Sequence, residues 1–276
     1  MPTQDKLGWT FRALHESGTF VIPNPWDVGS ARILASMGFR ALATTSGGFA
    51  FSVGKRDHTP GRDDVLEHCR ALISAVDVPV SADLGNCFGD DPKTVAETMR
   101  LAAASGLVGA YVEDMKGDYS IYDHALAAER VQAAAEVTQA LPFPFTLTAR
   151  AENFLVGRHD LDDTIKRLQL YQEAGADVLY APGLTTREEI SAVVRSVDRP
   201  VNVIMGIRDC SLTIADLQEL EVRRISVGSS LARVAITAFI RATREMLERG
   251  TFSFSDDLMS FREINSMLGA QANIHS

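Results

Sequence analysis

Cysteine is scarce in this sequence, and the few cysteines present argue against a disulfide framework. The 276 residues include three of them, Cys69, Cys87 and Cys210, which are widely separated and odd in number. Proteins that depend on disulfides are usually small, secreted and rich in paired cysteines. The sequence therefore suits a reducing compartment.

Long apolar runs and an excess of positive charge are also missing. No stretch approaches the roughly 18 apolar residues of a membrane span, and the first residues, with Asp5, Lys6 and Trp9, lack the apolar core of a signal peptide. The net charge is -9, whereas a nucleic-acid or anionic membrane surface needs a basic stripe. We therefore expect a cytoplasmic protein whose partners are neither nucleic acids nor membranes.

No linker rich in proline, glycine or serine divides the chain. Hydrophobic residues make up 46% and charged residues 23% of the sequence, which are ordinary values for a soluble globular protein. Parallel barrels commonly reach about 250 residues as one unit. We predict that residues 1–250 form such a unit and that residues 251–276 are a C-terminal helical extension of the same domain.

Short apolar runs alternate with longer helical patterns along the sequence. After an amphipathic stretch at 10–17, the predicted strands are 18–25, 39–45, 78–82, 108–112, 145–150, 177–180, 201–205 and 225–227; the predicted helices are 27–37, 62–76, 92–105, 122–140, 161–173, 186–197 and 231–248. Eight strands alternating with helices favour an α/β fold, a TIM-type (β/α)8 parallel barrel, over an open sheet.

An apolar stripe follows the last strand and helix. Leu258, Phe261, Ile264 and Leu268 recur at helical spacing within residues 252–274. A complete barrel has no place in its core for this stripe. We therefore expect the stripe to pack on another subunit or on the outside of its own barrel.

Charged residues and glycines follow four of the predicted strands. Asp83, Glu113 and Arg150 end the third, fourth and fifth strands, and Ser46-Gly47-Gly48 forms a glycine-rich turn after the second. The carboxyl ends of parallel strands meet at one mouth of a barrel. Two carboxylates suit Mg²⁺, a guanidinium suits a carboxylate or phosphonate, and glycine-rich backbone offers amide donors. Alternatively, Arg150 pairs with Glu113 or Glu152 as a structural bridge.

Six short motifs occur in a fixed order at or near these strand ends. They are Thr45-Ser46-Gly47-Gly48, Asp57, Ser81-Ala82-Asp83, Val112-Glu113-Asp114, Thr148-Ala149-Arg150-Ala151-Glu152 and Arg224-Ile225-Ser226-Val227-Gly228. Their order resembles the isocitrate lyase and phosphoenolpyruvate mutase superfamily across about the whole barrel. The resemblance implies bound Mg²⁺, a 2-oxo acid or its enolate as the reacting species, and C-terminal helices that exchange between subunits of a homodimer or homotetramer.

The resemblance also implies roles for individual residues. Mg²⁺ is expected near Asp83 and Glu113, with Asp57 near the metal shell. Arg150 is expected to hold the anionic group of a carboxylate or phosphonate substrate, and the backbone of Ser46, Gly47 and Gly48 to bind the same substrate. In this interpretation Arg150, Asp57 and Glu113 are the catalytic residues.

Two places depart from the family pattern. Family members carry Asp-Ala-Asp in the third strand, whereas the first acid is replaced by Ser81 in this chain, which implies a weaker or water-mediated metal contact. The loop at 115–120 replaces the Lys-Lys-Cys-Gly-His loop of the lyases that cleave isocitrate and methylisocitrate, and it has no evident asparagine for a migrating phosphoryl group. The usual cysteine acid is therefore missing from this loop.

These observations predict a Mg²⁺-dependent lyase that breaks a C–C or P–C bond beside a 2-oxo acid through an enolate intermediate. Chemistry like that of an oxaloacetate decarboxylase is favoured, because carbon dioxide leaves without a dedicated acid. Tyr119, Tyr122 or His124 could protonate the enolate. The alternatives are phosphonopyruvate hydrolase or phosphoenolpyruvate mutase activity, and a barrel that binds anions without catalysis.

Overall fold

Eight short strands, each followed by helical structure, surround a common axis in the computed structural model, which describes residues 2–269. The strands are β1 Phe20–Ile22, β2 Leu42–Ala43, β3 Val80–Asp83, β4 Gly109–Glu113, β5 Thr146–Arg150, β6 Val178–Tyr180, β7 Val201–Ile204 and β8 Arg224–Ser226. The helices are α1 Gln4–Ala13, α2 Val28–Ser36, α3 Ser46–Ser52, α4 Arg62–Ile73, α5 Pro92–Ala104, α6 His124–Gln139, α7 Leu161–Glu173, α8 Arg187–Arg195, α9 Ile214–Glu219, α10 Ser230–Arg249 and α11 Phe261–Gly269, with a 3₁₀ helix at Ser253–Asp257.

The strands pair in parallel in the order β1-β8-β7-β6-β5-β4-β3-β2. The two ends of this sheet meet where the amide of Ala43 donates a 3.1 Å hydrogen bond to the carbonyl of Pro23. The buried Asn24 side chain strengthens this closure, because its Nδ2 donates to the carbonyl of Thr44 and its Oδ1 accepts from the amides of Val227 and Gly228. The predicted TIM-type (β/α)8 barrel is confirmed.

Several helices begin or end at the residues where local sequence signals predicted it. Asp27 caps α2 in a capping box with Ser30, since the aspartate accepts from the Ser30 amide at 2.7 Å. Asp91 caps α5, Pro92 occupies its first turn, and Gly106 follows its end with a φ of 100°. These signals are local, so the sequence alone predicts them well.

Successive side chains of β3 point alternately to the apolar core and to the interior of the barrel. Val80 and Ala82 belong to the apolar core between the sheet and the helices. Ser81 and Asp83 alternate with them and therefore point into the barrel. This alternation is what places the Asp83 carboxylate inside the mouth of the barrel.

Polar groups fill the interior at the amino end of the barrel. The buried Arg224 donates to Asn202 Oδ1 and Thr148 Oγ1, both at 2.9 Å, and its guanidinium carbon lies 5.1 Å from the Tyr111 ring centroid. Its Nη1 lies 3.4 Å from Nε2 of His15, whose pKa is lowered to about 3 by burial, with the Arg224 charge adding to the effect. The barrel is therefore packed along its axis, as in other barrels of this type.

Two local predictions are wrong. The residues predicted as a turn, 46–48, form the first turn of α3, whose N-cap Thr45 accepts a hydrogen bond from the amide of Gly48. The amphipathic stretch predicted at 10–17 is instead a helix at Gln4–Ala13, capped by Thr3. In both cases the helix begins after a capping residue that lies outside the predicted range, Thr3 for α1 and Thr45 for α3.

Beyond α10, a 3₁₀ helix and α11 are joined by short irregular segments, and α11 packs against α2 on the outside of its own barrel. The 3₁₀ helix and α11 occupy much of the predicted stripe at 252–274, and the part from residue 270 onward lies outside the described residues. None of the helices within residues 2–269 combines the length and apolar character that a membrane crossing requires.

Candidate active site

Two carboxylates from neighbouring strands face one cavity at the carboxyl end of the barrel. Asp83 ends β3 and Glu113 ends β4, and the pairing of these strands brings them side by side. The cavity has a volume of about 110 Å³ and is lined by Ser46, His58, Pro60, Val65, Asp83, Leu84, Gly85, Asn86, Phe88, Glu113, Met115, Lys116, Gly117 and Tyr119. Three of the sequence-predicted site residues, Ser46, Asp83 and Glu113, therefore lie together.

Backbone amides fix the Asp83 carboxylate. Its Oδ2 accepts from the amide of Ser46 at 3.2 Å, and its Oδ1 accepts from the amide of Gly85 at 3.3 Å. The Asp83 amide donates to Thr44 Oγ1 at 2.8 Å. These hydrogen bonds therefore fix the end of β3 relative to the turn after it and to the start of α3, at the edge of the cavity.

Arg150 lies beneath the two carboxylates at the end of β5. Its Nη1 is 3.5 Å from Glu113 Oε2 and 3.9 Å from Asp83 Oδ1, and its Nε contacts Glu152 Oε1. The guanidinium carbon also lies 5.2 Å from the Tyr180 ring centroid. The alternative in which Arg150 bridges Glu113 and Glu152 is therefore present in the structure.

Three carboxylates share the single guanidinium of Arg150, and their burial leaves them poorly compensated. Burial raises the pKa of Glu113 to about 7, and repulsion from Asp83 adds to this effect while Arg150 opposes it. Burial likewise raises the pKa of Glu152 to about 8, against the attraction of Arg150. Oε1 of Glu152 contacts Arg150 Nε, whereas Oε2 has no hydrogen-bond partner among the described residues. The cluster is thus short of positive charge.

The donor set of this cluster fits a hard divalent cation that takes few protein ligands. Asp83 and Glu113 offer carboxylate oxygens to the same cavity. The described residues contain no cluster of three or more His, Cys, Asp or Glu side chains arranged for a metal. Mg²⁺ commonly uses one or two carboxylates and completes its shell with water or substrate oxygens.

The two glycines after Ser46 have packing roles that sequence reasoning missed. A Cβ at Gly48 would lie 2.9 Å from Cβ of Trp26 and 3.4 Å from Cβ of Ala232, so only glycine fits there. A Cβ at Gly47 would lie 3.0 Å from Asp57 Oδ2. The missing side chain at Gly47 thus allows Asp57 to lie close to the start of α3. Gly48 packs against Trp26 and Ala232.

A buried network positions Glu152 and joins the loops after β4 and β5. Oδ1 of Asp114 accepts from the amide of Glu152 at 2.8 Å. Its Oδ2 accepts from Tyr171 Oη at 2.5 Å and from Arg167 Nη1 at 3.1 Å. Both partners of Oδ2 belong to α7, so this helix anchors the loops that flank the cavity.

Several residues at the cavity carried no clear signal in the sequence. Lys116 and Phe88 line it from the loops after β4 and β3, and only their positions after strand ends marked them. His58, between α3 and α4, and Tyr119, a sequence-predicted candidate for the acid, line it as well. The Ser81 hydroxyl is fully buried and has no hydrogen-bond partner within the described residues. Cys87 is also fully buried, and burial raises the pKa of its thiol to about 12, so it is not a substitute acid.

Replacing Glu152 by Gln is predicted to remove part of the pH dependence of stability. Because the folded-state pKa of Glu152 is raised to about 8, the folded chain keeps a proton that the unfolded chain loses near pH 4.5, and the free energy of unfolding falls as pH rises between these values. We expect E152Q to match the wild-type Tm at pH 5 and to exceed it at pH 8.5 by roughly 3 °C, or about 1 kcal/mol.

The measurement is Tm by calorimetry from pH 5 to pH 8.5, with E67Q at an exposed position of α4 as the matched control. Parallel curves for wild type and E152Q over this range contradict the assignment of a raised pKa to Glu152.

Comparisons with known proteins identify the family of this chain. The family described as phosphoenolpyruvate phosphomutase matches residues 11–247. A crystal structure from Burkholderia cenocepacia, described as a lyase/mutase, is 54% identical with a TM-score of 0.94, and the match covers 97% of each chain. An uncharacterized protein of Mycobacterium tuberculosis is 32% identical, covering 85% of this chain and 88% of its own. The 2-methylisocitrate lyase of Halalkalibacterium halodurans is 24% identical, covering 90% and 85%. The chain belongs to the isocitrate lyase and phosphoenolpyruvate mutase superfamily of lyases and mutases.

Proposed function

We propose that this protein is a Mg²⁺-dependent lyase that cleaves a C–C bond beside a 2-oxo acid through a pyruvate-enolate-like intermediate. The observation that carries the proposal is that Asp83 and Glu113 line one cavity and that Arg150 Nη1 lies 3.9 Å and 3.5 Å from their carboxylates. Family membership adds support, because the matching family and relatives are mutases and lyases.

The residues of the cavity have distinct roles in this proposal. Asp83 and Glu113 would hold the Mg²⁺ ion. When bound, Mg²⁺ supplies Lewis-acid stabilisation of the negative charge that develops on the keto oxygen. Arg150 attracts the anionic group of the substrate from below, and the backbone at Ser46, Gly47 and Gly48 orients it.

Asp57 and Glu113 set the charge around the reacting group in this proposal. Burial raises the pKa of Glu113 to about 7, and the nearby charges of Asp83, Asp114 and Asp57 add to the rise; a bound cation would oppose it. Asp57 lies against the start of α3, where it limits the space beside Gly47. The cluster therefore binds the cation and the anionic substrate cooperatively, since each offsets the charge of the other.

Decarboxylation fits the cavity better than reactions that need a strong acid in the loop after β4. Residues 115–120 supply no cysteine, and the buried Cys87 does not replace it. The volume of about 110 Å³ suits a small substrate. Oxaloacetate is therefore the first substrate to test, with phosphonopyruvate as the phosphonate counterpart.

Purified protein with Mg²⁺ is predicted to release pyruvate from at least one member of a panel of 2-oxo diacids and phosphonopyruvate. Pyruvate is followed with lactate dehydrogenase, and phosphate is measured in parallel. Phosphate released from phosphonopyruvate alone would favour the hydrolase alternative. Oxalate binding without turnover of any panel member would refute the enzymatic proposal and favour an anion-binding barrel.

Replacing Asp83 by Ala is predicted to abolish Mg²⁺-dependent pyruvate release and to weaken oxalate binding by roughly 100-fold, because one of two carboxylate ligands is lost. Oxalate mimics the enolate, and its affinity is measured by calorimetry with and without Mg²⁺. The control is D63A, whose carboxylate is 95% exposed on α4. An unchanged oxalate affinity in D83A refutes the metal assignment.

We further propose that α10 and α11 are covered by a second copy of the chain, as the family resemblance implies. Ala232 is the one residue of α10 that is buried within the described chain. Ile236, Phe239, Ile240 and Leu247 form an exposed apolar stripe along α10. Such a stripe on a long helix is typical of an interface in a homodimer or homotetramer.

Replacing Phe239 by Glu is predicted to shift the protein to a smaller species, because a charge then lies in the apolar stripe. Phe239 is 68% exposed in the isolated chain. Light scattering after size exclusion measures the mass, and A238E, on the opposite face of the same helix, is the control. Equal masses for F239E and wild type, or a monomeric wild type, contradict helix exchange.

A further inference from the structure

A histidine and a tyrosine from two different loops meet at the mouth of the cavity. His58 lies between α3 and α4, and Tyr119 lies in the loop after β4; both line the cavity that holds Asp83 and Glu113. Their ring centroids are 6.2 Å apart and their planes are at 87°. This edge-to-face contact fixes an imidazole among the residues that line the cavity of Asp83 and Glu113.

Both residues adopt a backbone conformation that side chains rarely take. The φ angle is 59° at His58 and 64° at Tyr119. A residue other than glycine in this region costs on the order of 1 kcal/mol, and such residues concentrate at functional sites. The two strained residues, His58 and Tyr119, thus both lie at the mouth of the cavity.

The carboxylate of Asp57 lies near His58. The His58 amide donates to Asp57 Oδ1 at 2.9 Å, which fixes the backbone, and His58 Nε2 lies 3.8 Å from Asp57 Oδ2. A carboxylate at this distance favours the protonated imidazole. The side chain of His58 is 37% exposed, so it can exchange protons with water.

The other candidates for the proton donor are engaged elsewhere. Tyr122 Oη donates to Asp90 Oδ1 at 2.6 Å, and its pKa is raised to about 12, by burial first and then by this hydrogen bond. His124 Nε2 lies 3.0 Å from Asp163 Oδ1, and Asp163 also accepts from Arg167. Neither belongs to the residues that line the cavity, whereas His58 does.

We propose that His58 is the acid that protonates C3 of the enolate, in place of the cysteine that the loop at 115–120 lacks. This inference rests on the proposed function. For oxaloacetate, the C3–C4 bond breaks, carbon dioxide leaves, and the bonding electron pair forms the C2–C3 double bond of the enolate. C3 then takes a proton from the protonated imidazole, which is recharged by water. In reverse, the neutral imidazole removes a proton from C3 of pyruvate.

The reverse step gives a test that is independent of bond cleavage. Exchange of the pyruvate methyl protons with D₂O, in the presence of Mg²⁺, is followed by NMR for wild type, H58N, H58G and Y119F. Asparagine and glycine both accept a positive φ, so these variants keep the loop conformation. The control T59A alters an exposed neighbour in the same loop.

The expected result is exchange by wild type and T59A, a loss of roughly 100-fold or more in H58N and H58G, and partial recovery of H58G with added imidazole. Oxalate affinity should stay within about threefold of wild type in H58N. Exchange by H58N at the wild-type rate overturns the inference, as does a loss in Y119F that H58N does not share.

Failure of the inference is distinguishable from failure of the proposed function. If wild type releases pyruvate in the substrate panel and H58N exchanges normally, the inference alone is wrong. If wild type neither releases pyruvate nor exchanges its protons, both are wrong.

Discussion

The buried guanidinium of Arg150 holds the mouth of the barrel together, because three carboxylates from different parts of the chain converge on it. Asp83 and Glu113 approach it from neighbouring strands, and Glu152 contacts it from the following loop. Burial raises the pKa values of Glu113 and Glu152, Arg150 opposes the rise, and repulsion among the carboxylates adds to it. The proposed binding of a divalent cation and an anionic substrate rests on this cluster.

Closure of the barrel makes this convergence possible. The sheet closes through Pro23 and Ala43, and Asn24 ties the first, second and eighth strands together. All eight strands are parallel, so their carboxyl ends open on the same side. Below the site, Arg224 and its polar partners fill the barrel, which leaves the mouth as the place where small molecules meet the strand ends.

The loops around the cavity explain how this chain differs from the family pattern it resembles. The loop after β4 contributes Lys116 and Tyr119 where a cysteine acid is expected, and His58 faces them from the segment after α3. Asp114 and α7 anchor this loop and the next one from behind. In the proposed mechanism, the anion site and the proton donor are therefore built on separate elements.

The alternation of strands and helices, the caps at Asp27 and Asp91, and the placement of Asp83, Glu113 and Arg150 at strand ends could be determined from the sequence, since each depends on local pattern. The sequence could not show that Arg150 lies beneath the carboxylates, that residues 46–48 begin a helix, or that His58 meets Tyr119. Those facts depend on contacts between segments far apart in the chain. Only the tertiary structure decided them, because burial, charge sharing and close packing exist only once the barrel has closed.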